Sequence, residues 1–156
     1  SHLAFAGMKI LEIGCGIGLS SLVLQRHGAD ITASDYHPLA EEFLRFNSDL
    51  NGLPPIKFHN AAWAGPNPLL GRFDLIVGSD LLYERGHPAQ LSVFLACHTE
   101  YAARVILADP GRSRCGQFSS QMSSAGYRRT EQKFHCAGAA GAKPRGRMMS
   151  FARGQI

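Results

Sequence analysis

The chain has 156 residues, enough for one domain with a core of its own. Its 45% hydrophobic and 9% aromatic content suits a globular protein outside the membrane, and no apolar run approaches the roughly 18 residues a membrane helix needs. The net charge of +4 is uneven: residues 1–103 carry six Lys or Arg against ten Asp or Glu, and residues 104–156 carry ten against two, so the last third is either a face for an acidic protein or nucleic acid or simply a solvated basic surface.

Apolar runs alternate with helix-like stretches, which predicts βαβ units and a mainly parallel sheet. Met8 to Ile13 (MKILEI) reads as the first strand, and Leu19 to His27 as a helix ended by Gly28. Ile31 to Ser34 is a second strand, followed by a helix near Leu39 to Leu50 with Pro38 in its first turn and Asn51-Gly52 at its end. Ile56 to Asn60 is a third strand, and Gly65-Pro66-Asn67-Pro68 marks a loop. Phe73 to Gly78 (FDLIVG) is continuously apolar, as a central strand covered on both faces would be. A helix over Pro88 to Tyr101, a strand over Arg104 to Ala108 and a helix over Cys115 to Ala125 follow. Tyr127 to Phe134 and Arg147 to Ala152 then read as adjacent strands joined by a loop, HCAGAAGAKPRG, so the last strand must enter the sheet antiparallel.

The stretch LEIGCGIG at residues 11–18 carries the chemistry. A dinucleotide fingerprint, G-x-G-x-x-G, would place its last glycine at position 19, which is Leu19. A phosphate loop, G-x-x-x-x-G-K-[ST], has no match in the chain. What remains is E-x-G-x-G-x-G after a first strand, with Asp35 at the end of the second. Glycines let the turn approach a ligand closely, and a carboxylate at the next strand end accepts hydrogen bonds from ribose hydroxyls. This describes a nucleoside site at the carboxyl edge of the sheet, and a sulfonium nucleoside with an amino-acid tail fits it as well as a phosphorylated one. The plainer alternative is a strand-to-helix turn with no ligand.

These residues resemble the class I, seven-β-strand S-adenosylmethionine-dependent methyltransferases. The resemblance implies an α/β, Rossmann-like doubly wound sheet of order 3-2-1-4-5-7-6. It also implies S-adenosylmethionine as the methyl donor and S-adenosylhomocysteine as the product. Asp80-Leu81-Leu82-Tyr83 resembles the D-x-x-Y motif of the protein lysine methyltransferases in this group, and Asp109-Pro110-Gly111-Arg112 resembles the branch acting on the electron-transfer flavoprotein β subunit. On this resemblance Asp80 and Tyr83 are the catalytic pair, with Asp80 orienting the acceptor amine and Tyr83 lining its channel. Glu12, Gly14, Cys15, Gly16, Gly18, Asp35, Tyr36, Trp63 and Ser79 are the cofactor-binding residues. Ala62 stands where the family often has an acid for the adenine amino group, leaving stacking, backbone groups or Asn60 for that task. Family members commonly carry an N-terminal segment over the cofactor or acceptor entrance. Here about seven residues precede the first strand, so the expectation is a single methyltransferase domain over 1–156 lacking that segment.

The acceptor expected on this basis is a protein lysine. Small-molecule and RNA methylation are the alternatives. The basic last third supports a nucleic acid, whereas DLLY lacks the prolines of the [DNS]-P-P-[FYW] motif that holds a planar base amine. A nicotinamide-dependent oxidoreductase and a non-catalytic S-adenosylmethionine-binding module stand further off. The four cysteines form no C-x-x-C pair and the seven histidines no H-x-x-x-H, so no metal site is expected and a reducing cytoplasm is the reading.

Overall fold

The computed structural model describes residues 5, 7–111, 113–135 and 145–154. They form a seven-stranded sheet of order β3-β2-β1-β4-β5-β7-β6, as the sequence predicts. The strands are β1 (Lys9–Ile13), β2 (Asp30–Asp35), β3 (Lys57–Asn60), β4 (Phe73–Ser79), β5 (Thr99–Asp109), β6 (Arg128–His135) and β7 (Arg145–Arg153). Neighbours from β3 to β5 pair in parallel, and β7 enters antiparallel between β5 and β6. The helices are α1 (Leu19–Arg26), α2 (Ala40–Leu50), α3 (His87–His98) and α4 (Cys115–Ser124). Of the loop expected between β6 and β7, residues 136–144 lie outside the described residues.

One boundary differs from the sequence reading. The helix expected to reach Tyr101 stops at His98, and β5 begins at Thr99. Thr99 turns to extended backbone because its hydroxyl caps the Leu95 carbonyl at 2.7 Å and meets the Tyr127 hydroxyl at 2.8 Å, while its backbone aligns with Phe73 of β4. A β-branched residue with two such tertiary partners, Tyr127 and Phe73, overrides the weak helical preference of the residues after it.

The two faces of the sheet bury different cores. On one, Leu91, Phe94 and Leu95 of α3 and Phe118 and Met122 of α4 pack on the inner residues of β4, β5 and β7. On the other, α1 and α2 cover β1, β2 and β3 through clusters around Ile10, Ile31 and Leu75 and around Ala33, Ala40 and Leu44. On that second face, no described helix lies over β5 and β7, and an apolar groove of about 930 Å³ runs past Met8, Val23, Val77, Ile106 and Met148. The side chains singled out in the sequence converge instead on a smaller cavity at the carboxyl edge, where β1, β2, β3 and β4 end.

Candidate functional site

The turn after β1 is built by its glycines. Gly14 has φ +60°, and a Cβ there would lie 2.7 Å from the Leu81 side chain. Gly18 has φ +82°, and its Cβ would overlap Leu44 of α2 at 2.2 Å. Both positions combine a left-handed backbone with a leucine methyl that would have to move to admit a Cβ. The third glycine of the sequence motif is thus held at position 18 by helix α2.

Asp35, 8% exposed, ties this turn to the end of β2. Its Oδ2 accepts the Gly16 N–H at 2.8 Å and its Oδ1 accepts the His37 N–H at 2.9 Å. A carboxylate has about four acceptor positions, so capacity remains on the cavity side for hydroxyl donors.

Glu12 lies behind the turn and is 2% exposed. Its Oε2 accepts the Ser21 backbone N–H at 2.8 Å and the Ser21 hydroxyl, so it supplies from β1 the N-terminal cap that α1 lacks. Burial raises its pKa above the ordinary value of 4.5 despite these hydrogen bonds. The folded state therefore keeps a proton that the unfolded chain has released. Below pH 4.5 the two states bind that proton alike, and above it Glu12 makes stability fall as pH rises, until the folded carboxyl has ionised. The slope is at most about 1.4 kcal/mol per pH unit for one group. Glu12→Gln keeps an acceptor for Ser21, so the stability difference between wild type and variant should shift with pH in this sense. Chemical denaturation at several pH values measures it, and parallel curves would contradict the assignment.

Cys15 is also buried, and burial, with the Glu12 and Asp35 charges adding to it, pushes its thiol up to about 12. It is a packing residue of the turn, not a nucleophile.

The DLLY segment follows β4 and splits its residues between core and cavity. Leu81 and Leu82 are 5% and 1% exposed, and Leu81 fills a notch between Gly14 and Gly78, whose added Cβ atoms would lie 2.7 and 2.5 Å from it. Asp80 has φ 56°, a conformation that aspartate tolerates better than most residues, and its N–H meets the Ala108 carbonyl at 2.8 Å. Tyr83 is 44% exposed, and desolvation, then its hydrogen bond with Tyr36, pushes its phenol up to about 12. At neutral pH it is a hydroxyl rather than a base.

The resulting cavity measures about 240 Å³, and Gly14, Asp35, Tyr36, Trp63, Ser79, Asp80 and Tyr83 line it together with His37, Ala61 and Leu81. The structure thus brings together seven of the eleven site residues expected from sequence. Glu12, Cys15, Gly16 and Gly18 build the turn and do not line it. Asn60 ends β3 and is also absent from the lining. The fit to a nucleoside rests on a cavity walled by the Gly14 turn and Trp63 and on a carboxylate with acceptor capacity to spare. Asp109 ends β5, 4% exposed, with Oδ1 accepting the Gly111 N–H at 2.6 Å, and Arg112 lies outside the described residues.

His87 was not singled out in the sequence. It is 8% exposed at the start of α3, and its ring meets Trp63 and Tyr83 edge-on, with centroids 5.1 and 4.6 Å away. A single histidine before Pro88 reads as an ordinary helix start, so only the fold reveals it.

In the basic last third, Arg129 and Arg147 both face Glu131, and Arg153 lies over the Tyr127 ring. Among the described residues no cluster of three or more His, Cys, Asp or Glu is arranged to hold a metal ion, and no helix is long and apolar enough to cross a membrane.

Comparison with known proteins agrees with this geometry. The fold matches a methyltransferase from Pyrococcus furiosus (TM-score 0.75, 19% identity, 96% of this chain and 76% of that one). It also matches magnesium protoporphyrin IX methyltransferase from Synechocystis PCC 6803 with bound SAM (TM-score 0.74, 17% identity, 97% and 72%). In sequence, the chain is 33% identical over 117 residues to the electron transfer flavoprotein beta subunit lysine methyltransferase of Rattus norvegicus, covering 74% of this chain and 45% of the relative. It spans less than half the length of that protein. A family model described as lysine methyltransferase matches residues 2–124. By that match, on a class I S-adenosylmethionine-dependent methyltransferase fold, the chain belongs to the lysine methyltransferase family.

Proposed function

We propose that the protein transfers a methyl group from S-adenosylmethionine to the side-chain amine of a protein lysine. The observation carrying this reading is the convergence of Asp35, Trp63, Asp80 and Tyr83 on one cavity beside the glycine turn. Family membership supports lysine as the acceptor. It also sets aside the oxidoreductase alternative.

The donor brings an already activated methyl, so the amine lone pair forms the N–C bond as the C–S bond breaks and its electron pair stays on sulfur. The protein's task is mostly positioning. Asp35 accepts hydrogen bonds from the ribose hydroxyls, and Trp63 offers a ring face to the adenine. A lysine amine with a pKa of about 10.4 is mostly protonated at neutral pH, and selecting its neutral form costs about 1.4 kcal/mol per pH unit. Asp80 offsets part of this by accepting an N–H from the amine, which aims the lone pair and gives the departing proton an acceptor. Tyr83, held as a neutral phenol, lines the approach of the acceptor chain.

Incubating the protein with tritiated S-adenosylmethionine and cell lysate tests the acceptor class. Label that protease removes and nuclease spares is the expected result. Label removed only by nuclease would overturn the protein acceptor in favour of nucleic acid, for which the paired arginines of β6 and β7 offer little support.

A further inference from the structure

We infer that His87 is a positioning residue for methyl transfer, fixing Tyr83 and Trp63 relative to each other by holding the turn between β4 and α3. The inference rests on the proposed methyl transfer at this cavity. Three contacts carry it. The His87 Nδ1 lies 2.6 Å from the Leu81 carbonyl. A carbonyl only accepts, and at 2.6 Å it outweighs the Glu84 N–H that lies 3.5 Å from the same nitrogen, so Nδ1 donates in this contact. The ring then stands edge-on to Tyr83 (79°) and to Trp63 (75°), forming a wedge behind the two aromatic walls of the cavity.

His87 does not line the cavity, so it acts through its neighbours. Leu81 is the pivot: its side chain is locked between Gly14 and Gly78 and its carbonyl is locked by His87. Asp80 and Tyr83 are thereby held on either side of a residue fixed at both ends. A glycine turn that holds the donor and a tyrosine that faces the acceptor share one anchor.

Two variants of the full chain separate the parts of this device. His87→Asn keeps an N–H donor near the Nδ1 position and loses the wedge, whereas His87→Phe keeps a ring and leaves the buried Leu81 carbonyl unpaired. With purified electron transfer flavoprotein β subunit as the acceptor probe, His87→Phe should lower kcat about tenfold or more with the KM for S-adenosylmethionine within about twofold, and His87→Asn should recover only the part of that loss that belongs to the turn, staying below wild type for want of the wedge. Trp63 is the single tryptophan of the chain, so acrylamide quenching of its emission reads the wedge directly. Quenching should rise in His87→Asn and stay near wild type in His87→Phe. Unchanged kcat in both variants, or a kcat loss matched by an equal rise in the KM for S-adenosylmethionine, would overturn the inference. If wild type labels no β subunit, that protein is not its acceptor, and the proposed lysine chemistry is judged by the lysate labelling instead. The emission arm then still decides whether His87 holds Trp63, and identical quenching in all three proteins would overturn the assignment.

Discussion

Asp80→Asn is expected to lower the rate of methyl transfer by about a hundredfold or more, while the affinity for S-adenosylhomocysteine changes by less than about threefold. The choice of asparagine matters. Asp80 sits at φ 56°, where alanine would add backbone strain and confuse a catalytic loss with a structural one. Asparagine tolerates the left-handed region and matches aspartate in shape, so it removes charge and acceptor capacity with little change in fold. The backbone bond from Asp80 N–H to the Ala108 carbonyl should persist, and thermal denaturation should show a midpoint close to wild type. Steady-state kinetics with saturating donor reads the effect, and an unchanged kcat would remove Asp80 from the mechanism.

The second large effect falls on the donor. Asp35→Ala deletes the two oxygens proposed to accept from the ribose hydroxyls, and charge-assisted hydrogen bonds contribute about 1.5–3 kcal/mol each. The Kd for S-adenosylhomocysteine should therefore rise about a hundredfold or more, read by calorimetry. The same change strips the acceptors from the Gly16 and His37 N–H groups, so some stability is lost as well. Asp35→Asn distinguishes the two contributions. Its amide oxygen can retain one of those backbone bonds, but its NH₂ donates where the turn and the ribose both need an acceptor. It should bind the ligand poorly while unfolding closer to wild type than Asp35→Ala. Wild-type affinity in either variant would place the ribose elsewhere.

Much of this arrangement is legible in the sequence because it follows from local rules. Alternating apolar strands and helices fix the βα rhythm, and two strands in succession after α4 force an antiparallel partner beside β5. The glycine turn and Asp35 are readable because strand ends at the same edge of a parallel sheet lie side by side. What stays hidden depends on contacts between distant segments. The end of α3 is set by Tyr127 meeting Thr99 across 28 positions, which no window on the helix itself can contain. Gly78 looks like a strand residue in a run of apolar ones, yet it is needed because Leu81 fills the space above it. Glu12 reads as a ligand residue of the motif and is found capping α1 from beneath, since only the folded turn brings Ser21 to it. His87 shares this character, because its partners Leu81, Tyr83 and Trp63 converge only once the ends of β3 and β4, separated in the sheet by β2 and β1, lie along one carboxyl edge.

If the methyl goes to a lysine nitrogen, as proposed, the chemical identity of the methylated residue decides it. Protein labelled with tritiated S-adenosylmethionine by the full chain is hydrolysed in acid, and its amino acids are separated beside methylated standards. The label is expected to run with the methyllysines and to be absent when Asp80→Asn replaces the wild-type protein. Label recovered as methylhistidine, or released as volatile methanol from a methyl ester, would contradict it.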